Sequence, residues 1–179
     1  MIIANYMVEH TDLDQVWMVV SPQNPFKKKS SLANDRERLH MVRLAIGDNS
    51  NLKGSDVEFD MPIPSYTIDT LAHLKEQYSY HTFVLLMGGD NLPTLPKWKN
   101  YEKLISENEI YVFNRPGYEL GPLASHEHIT ILKDSPVSLL IMTFWGTVGA
   151  CTSTKVIAVF AVLCADKLLA ISFAKTVNE

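Results

Sequence analysis

Residues 82–90 read Thr82-Phe83-Val84-Leu85-Leu86-Met87-Gly88-Gly89-Asp90. From Phe83 to Met87 no polar residue interrupts the run, and a run that short and that apolar is a strand buried on both faces. The glycine pair ends it and allows a ligand to approach the backbone closely. Upstream, Val16-Trp17-Met18-Val19-Val20 has the same character within Gln15–Ser21, and Ser21-Pro22-Gln23-Asn24-Pro25 stops it. Further strands are expected at Val57–Phe59, Ile110–Phe113 and Ile129–Leu132.

Helices lie between these strands. Ile2, Ile3, Tyr6 and Met7 share one face at helical spacing, with no cap residue before them. Asn34, followed three residues later by Glu37, has the form of a capping box. Leu39, Val42 and Ile46 make the buried stripe of that helix, and Gly47 stops it. Ser65-Tyr66-Thr67 leads into a helix with Ile68, Leu71, Leu74 and Tyr78 on one face, and a further helix spans about Asn100–Glu107. Strands that alternate with helices and are apolar throughout indicate an α/β domain: a Rossmann-like, doubly wound parallel sheet covered on both faces. Such sheets bind ligands at the carboxyl ends of their strands, where the glycine- and proline-rich segments of this chain fall.

The composition fits one soluble globular domain. The chain has 179 residues, 46% hydrophobic and 20% charged, enough to bury a core without disulfides or metals. A net charge of -4 argues against broad nucleic-acid binding, which favours a basic surface. Cys151 and Cys164 have no metal-ligand spacing and are expected to be reduced, in a cytoplasmic protein. Met1–Tyr6 has neither a basic region nor a cleavage pattern. The last part, 138–179, differs in kind. Ser138–Ala150 and Val156–Ala174 are apolar with little amphipathic order, and a buried helix is the favoured reading there over a membrane span, which takes about 20 apolar residues.

Four segments could carry chemistry. Lys27, Lys28 and Lys29 follow a strand end and could hold a phosphate, although a solvated charge run is the plainer reading. Around Tyr66 and Thr67 a helix start offers backbone N–H groups to a carboxylate, or is simply a capped helix. Asp90, after the glycine pair, could accept ribose hydroxyls, and Trp98 could stack on a cationic planar ring; a tight turn and a half-buried tryptophan are the alternatives. Arg115, in Asn114-Arg115-Pro116-Gly117, could bind a phosphate, or belong only to a turn. His126 and His128 lack a third metal ligand, and no metal site is expected; His10, His40, His73 and His81 are isolated.

The order of these segments is more specific than any one of them. A strand ending in a proline-rich lysine loop precedes a helix with Arg38-Leu39-His40-Met41. There follow Pro64-Ser65-Tyr66-Thr67-x-x-Thr70-Leu71, then Gly88-Gly89-Asp90-Asn91-Leu92-x-x-Leu95-x-x-Trp98, then Val112-Phe113-Asn114-Arg115-Pro116-Gly117. This resembles the bacterial nicotinate mononucleotide adenylyltransferases, members of the HIGH-type nucleotidyltransferases, over about residues 2–137. The resemblance implies transfer of the adenylyl group of ATP to nicotinate mononucleotide, giving deamido-NAD and pyrophosphate in NAD biosynthesis, with Mg2+ carried by ATP. It assigns Tyr66 and Thr67 to the nicotinate carboxylate and Trp98 to the pyridine ring. It assigns Lys28 to the mononucleotide phosphate, Asp90 to the ribose and adenylyl region, and Arg115 to the phosphates.

Two family motifs are unmatched. The Gly-x-Phe-x-Pro-x-His-x-Gly-His turn, which holds ATP phosphates, does not occur, and the first residues resemble the helix it opens. The 1–137 domain therefore reads as truncated at its amino end and lacking the first strand, a central one, whose loss would bare its neighbours. The Ile-Ser-Ser/Ala-Thr-x-Ile-Arg motif has only a displaced echo in Thr152-Ser153-Thr154-Lys155-Val156-Ile157. No residue is thus named as catalytic, and the alternative reading is a mononucleotide-binding protein without turnover.

Overall fold

The computed structural model describes residues 1–23, 33–114, 118–132 and 158–161. Its strands are β1 Val16–Val19, β2 Leu52–Ser55, β3 Val84–Gly88, β4 Ile110–Phe113, β5 Ile129–Leu132 and β6 Ala158–Ala161. They form one sheet in the order β2-β1-β6-β3-β4-β5, parallel at every pairing. The helices are α1 Ile2–His10, α2 Asp35–Ile46, α3 Thr67–Gln77 and α4 Tyr101–Glu107.

The apolar runs are explained by what covers each face. Successive side chains of a strand point to opposite faces. Trp17 and Val19 of β1, Leu85 of β3, and Ile110 and Val112 of β4 join one core with Leu71 and Leu74 of α3 and Leu104 of α4. Val16 and Met18, with Val84 and Leu86, join a second core with Met7 of α1 and Leu39 and Val42 of α2. Both faces are therefore buried under helices, as a doubly wound sheet requires. Full burial of a side chain such as Leu85 contributes about 1.5–3 kcal/mol.

Local signals explain the helix ends. Asn34 caps α2 by accepting from Arg36 N at 2.9 Å, so the cap closes on the second residue of the helix. Gly47 ends α2 at φ 57°, a conformation that strains any residue with a Cβ. α1 starts at Ile2 with no side-chain cap.

Three expectations are corrected. Val57–Phe59 is not a strand: β2 lies earlier, and Val57–Asp60 is a 3-10 turn. The alternation of Val57, Glu58 and Phe59 imitates a half-buried strand, but here Glu58 is the buried residue, drawn inward by hydroxyl donors. The sheet also shows no gap. Ala158 of β6 lies in register with Val16 of β1 and with Val84 of β3, filling the central position expected to be empty. Unpaired N–H and C=O groups on two facing strand edges are costly, and a parallel strand satisfies both rows. These four residues are consequently strand, where the apolar segment was expected to be helical. The rest of 138–179, with Cys151, Cys164 and the Thr152–Ile157 echo, lies outside the described residues. Among the described residues, no helix is long and apolar enough to cross a membrane.

Candidate functional site

Chain order places the site. From β1 the chain passes to β2 on one side, then crosses to β3 on the other, so the winding reverses between β1 and β3. A crevice opens outside the carboxyl ends at such a reversal. The segments arriving there are Ser21 after β1, Asp56 to Thr67 after β2, Gly88-Gly89-Asp90 at the end of β3, and Asn114 after β4.

At the end of β3 the backbone turns tightly. Asn91 N donates to Gly88 O at 2.9 Å, and Gly89 N donates across to Phe113 O at 2.9 Å. A Cβ on Gly88 would fall 2.4 Å from Asp90 Oδ1 and 3.1 Å from Phe113 Cζ. Glycine at 88 is thus the condition for the Asp90 carboxylate to fold back over the strand end. The sequence singled out this glycine pair for ligand approach, and in the structure Gly88 leaves the room that the Asp90 carboxylate occupies. Asn114 follows β4 with its Oδ1 buried and lacking a hydrogen-bond partner among the described residues.

α3 starts without a side-chain cap. Tyr66, at the N-cap, has extended backbone and its carbonyl accepts from Asp69 N and Thr70 N. The first donors of the helix, from Thr67 onward, therefore have no capping side chain to occupy them. Beyond them, Leu92–Lys97 forms a 3-10 segment that Trp98 closes by donating to Leu95 O at 2.9 Å. Lys99, next to Trp98, ties that segment to α3: its Nζ lies 2.9 Å from Asp69 Oδ2 and 4.5 Å from the centre of the Tyr66 ring. Tyr66 and Trp98 pack, half-buried, against the same core. Tyr66 and Trp98 thus lie on one core and are linked through Lys99 and Asp69, with Thr67 next to Tyr66 at the helix start. Lys99 had no signal in the sequence, because a lysine in a polar stretch looks like any solvated charge.

Two further residues escaped the sequence reading. Glu58 is buried and accepts from Ser65 Oγ at 2.5 Å and Thr70 Oγ1 at 2.7 Å. Arg38 was noted only as part of a motif, yet its Nη2 donates to Ser21 O at 2.7 Å and its Nε to Ala33 O at 3.1 Å. It therefore ties Ser21 to Ala33, on either side of residues 24–32, which lie outside the described residues. Lys28 and Arg115 lie outside the described residues. His126 and His128 pack ring to ring at 5.7 Å, and among the described residues no group of His, Cys, Asp or Glu could hold a metal ion.

Known proteins resemble this chain in sequence and in fold. A family model described as cytidylyltransferase-like matches residues 1–159, extending past residue 137 to the first residues of β6. A Flavobacterium johnsoniae protein named as a probable nicotinate-nucleotide adenylyltransferase is 51% identical over 146 residues, covering 80% of this chain and 75% of the relative. A Bacteroides fragilis protein of the same name is 41% identical, covering 79% of this chain and 70% of the relative. Among solved structures, the Plasmodium falciparum nicotinic acid mononucleotide adenylyltransferase complexed with NaAD superposes at a TM-score of 0.62 and 20% identity. That match covers 73% of this chain and 65% of the solved one, a likeness of fold.

Proposed function

This chain belongs to the cytidylyltransferase-like family, and from that premise we propose that it serves adenylyl transfer from ATP to nicotinate mononucleotide. In that reaction a phosphate oxygen of the mononucleotide attacks the α-phosphorus of ATP. The bond from that phosphorus to the bridging oxygen breaks, and pyrophosphate leaves with the electron pair. No covalent step on the protein is needed, so the residues act by positioning and by charge.

The observation that carries this reading is the uncapped start of α3 beside Tyr66 and Thr67, tied through Lys99 to the Trp98 segment at the carboxyl ends of the strands. Backbone N–H groups at a helix start suit a carboxylate. An indole face suits the pyridinium ring to which that carboxylate is attached. A nicotinate ring has both features on one rigid plane. In this reading Tyr66 and Thr67 take the carboxylate and Trp98 the ring, while Asp90 faces the ribose and adenylyl region. Lys28 and Arg115 are assigned to phosphates on sequence alone.

Mg2+ is proposed to arrive with ATP. Such an ion is bound mainly by substrate phosphates and one or two carboxylates. The ion would neutralise phosphate charge when bound. A cytoplasmic setting goes with this reading.

Calorimetric titration with nicotinate mononucleotide tests the seat. Binding that is lost in Trp98→Ala is the expected result. Release of pyrophosphate together with deamido-NAD, in equal amounts from ATP and the mononucleotide, is the expected turnover. A wild-type chain that does not bind the mononucleotide overturns the reading.

A further inference from the structure

Glu58 is a carboxylate in a place where carboxylates are rarely found. It is 8% exposed, and its two donors, Ser65 and Thr70, are 6% and 0% exposed. Among the described residues no lysine or arginine forms an ion pair with it. A buried polar group of this kind persists only where its acceptors are filled. Both of its oxygens are: Ser65 Oγ donates to Oε2 at 2.5 Å, and Thr70 Oγ1 donates to Oε1 at 2.7 Å.

These bonds fix the direction of a longer chain. A serine hydroxyl has one proton, and that of Ser65 is committed to Glu58. At its 3.3 Å contact with Ser21 Oγ, Ser65 must therefore accept and Ser21 must donate. The Ser21 carbonyl in turn accepts from Arg38. One polar chain thus runs Arg38, Ser21, Ser65, Glu58, Thr70. It joins Ser21, just past β1, to the first turns of α3. Ser65 immediately precedes Tyr66, and Thr70 lies one turn into the helix. Glu58 holds both, one on each side of Tyr66 and Thr67.

We propose that Glu58 is a positioning residue: by holding Ser65 and Thr70 it sets the start of α3 at the geometry in which Tyr66, Thr67 and the first helical N–H groups receive the pyridine carboxylate. The proposal rests on the mononucleotide reading given above. The carboxylate of Glu58 does not touch the ligand. It acts through the two residues that it clamps, so its removal should let the α3 start drift. Small displacements of positioning groups cost ligand recognition steeply.

The test uses the full chain with Glu58→Gln and Glu58→Ala, titrated calorimetrically with nicotinate mononucleotide at a temperature where thermal melts show each variant folded. Glutamine keeps the shape and one acceptor, but it turns the second acceptor into a donor facing a hydroxyl. We expect Glu58→Ala to weaken mononucleotide binding by about tenfold or more, and Glu58→Gln to recover part of that loss. A merely structural role would lower the melting temperature and leave the dissociation constant of the folded variant unchanged. If the alanine variant does not fold, the glutamine variant decides. Folded variants that bind as tightly as wild type overturn the proposal while leaving the mononucleotide seat in place. A wild-type chain that fails to bind removes the reading beneath it, and the proposal with it.

Discussion

The two ends of the same sheet are built from different materials. At the amino ends of the strands, Trp17 of β1 is surrounded by the rings of Tyr78, His81 and Phe83, with centroids 4.9, 6.2 and 5.6 Å away. Lys53 of β2 lies 3.7 Å over the Trp17 face and 5.3 Å from Tyr78. Burial lowers the pKa of this lysine, and the charge of Asp56 partly opposes that shift. At the carboxyl ends polar groups are among the buried ones: the Glu58 carboxylate with its two hydroxyls, and Asp90 Oδ1 folded over Gly88. Rings and stems bury area and demand little of their neighbours' geometry. A buried carboxylate demands specific donors at specific places, and it repays that constraint by fixing the backbone around it. The amino end is built for cohesion, the carboxyl end for position.

That contrast can be broken by substitutions at either end. The largest effect on stability is expected at the amino end. Trp17→Ala empties the space inside three ring contacts and one lysine contact and should cost about 3–5 kcal/mol, read from the midpoint of urea unfolding. The fraction that remains folded should bind nicotinate mononucleotide as wild type does, by calorimetry. A weakened dissociation constant in that folded fraction would dissolve the distinction between the ends.

At the carboxyl end, Gly88→Ala should show the reverse balance. The added Cβ meets Asp90 Oδ1 at 2.4 Å and Phe113 Cζ at 3.1 Å, and the first of these is the tip of a movable side chain. The chain can yield by swinging the Asp90 carboxylate outward, so overpacking should cost only about 1–2 kcal/mol of stability. Ligand binding should suffer more, because Asp90 is the group displaced. ATP affinity is expected to fall by about tenfold, equivalent to ~1.4 kcal/mol. An unchanged affinity would separate Asp90 from the nucleotide.

Much of this difference was legible in the sequence, and the missing parts have a common cause. Strands buried on both faces announce themselves, so β1 and β3 fall on their apolar runs, and β4 and the half-exposed edge strand β5 fall at Ile110–Phe113 and Ile129–Leu132 as expected. Helix starts marked by Asn34 and by the Ser65-Tyr66-Thr67 turn were equally clear. The order of the glycine, aspartate and tryptophan positions pointed to the crevice. Glu58 was not visible, because its partners are 7 and 12 residues away and nothing local marks a carboxylate as buried. Lys99 was hidden for the same reason, since Asp69 is 30 residues distant. β6 was hidden more deeply. Its four residues carry no mark of a strand beyond being apolar, and what makes them one is the pair of facing edges on β1 and β3. Those edges exist only after the sheet has formed.

The finest test returns to the amino end and uses pH. Tyr111 of β4 donates its phenol to Asp12 Oδ1 at 2.7 Å, linking β4 to the turn between α1 and β1. Burial raises the Tyr111 pKa first, and the hydrogen bond to Asp12 with the negative charges of Asp12 and Glu109 raises it further. The folded protein thus holds this proton more tightly than the unfolded chain, whose tyrosine titrates near 10.0. Stability from the group is fully present below pH 10 and declines as pH rises from there through the folded value. Tyr111→Phe keeps the ring and removes the bond. It should lower stability by about 0.5–1.5 kcal/mol at neutral pH, toward the smaller figure because the pair is open to solvent. Above pH 10 the gap between wild type and variant should close, as the phenol of the unfolded wild-type chain ionises and that of the folded chain resists. Urea midpoints for both proteins across that range measure it. Mononucleotide affinity should not change at any pH where both are folded. If Tyr111→Phe weakened binding as Gly88→Ala does, the sheet would be transmitting position from one end to the other, and the division between a cohesive end and a positioning end would fail.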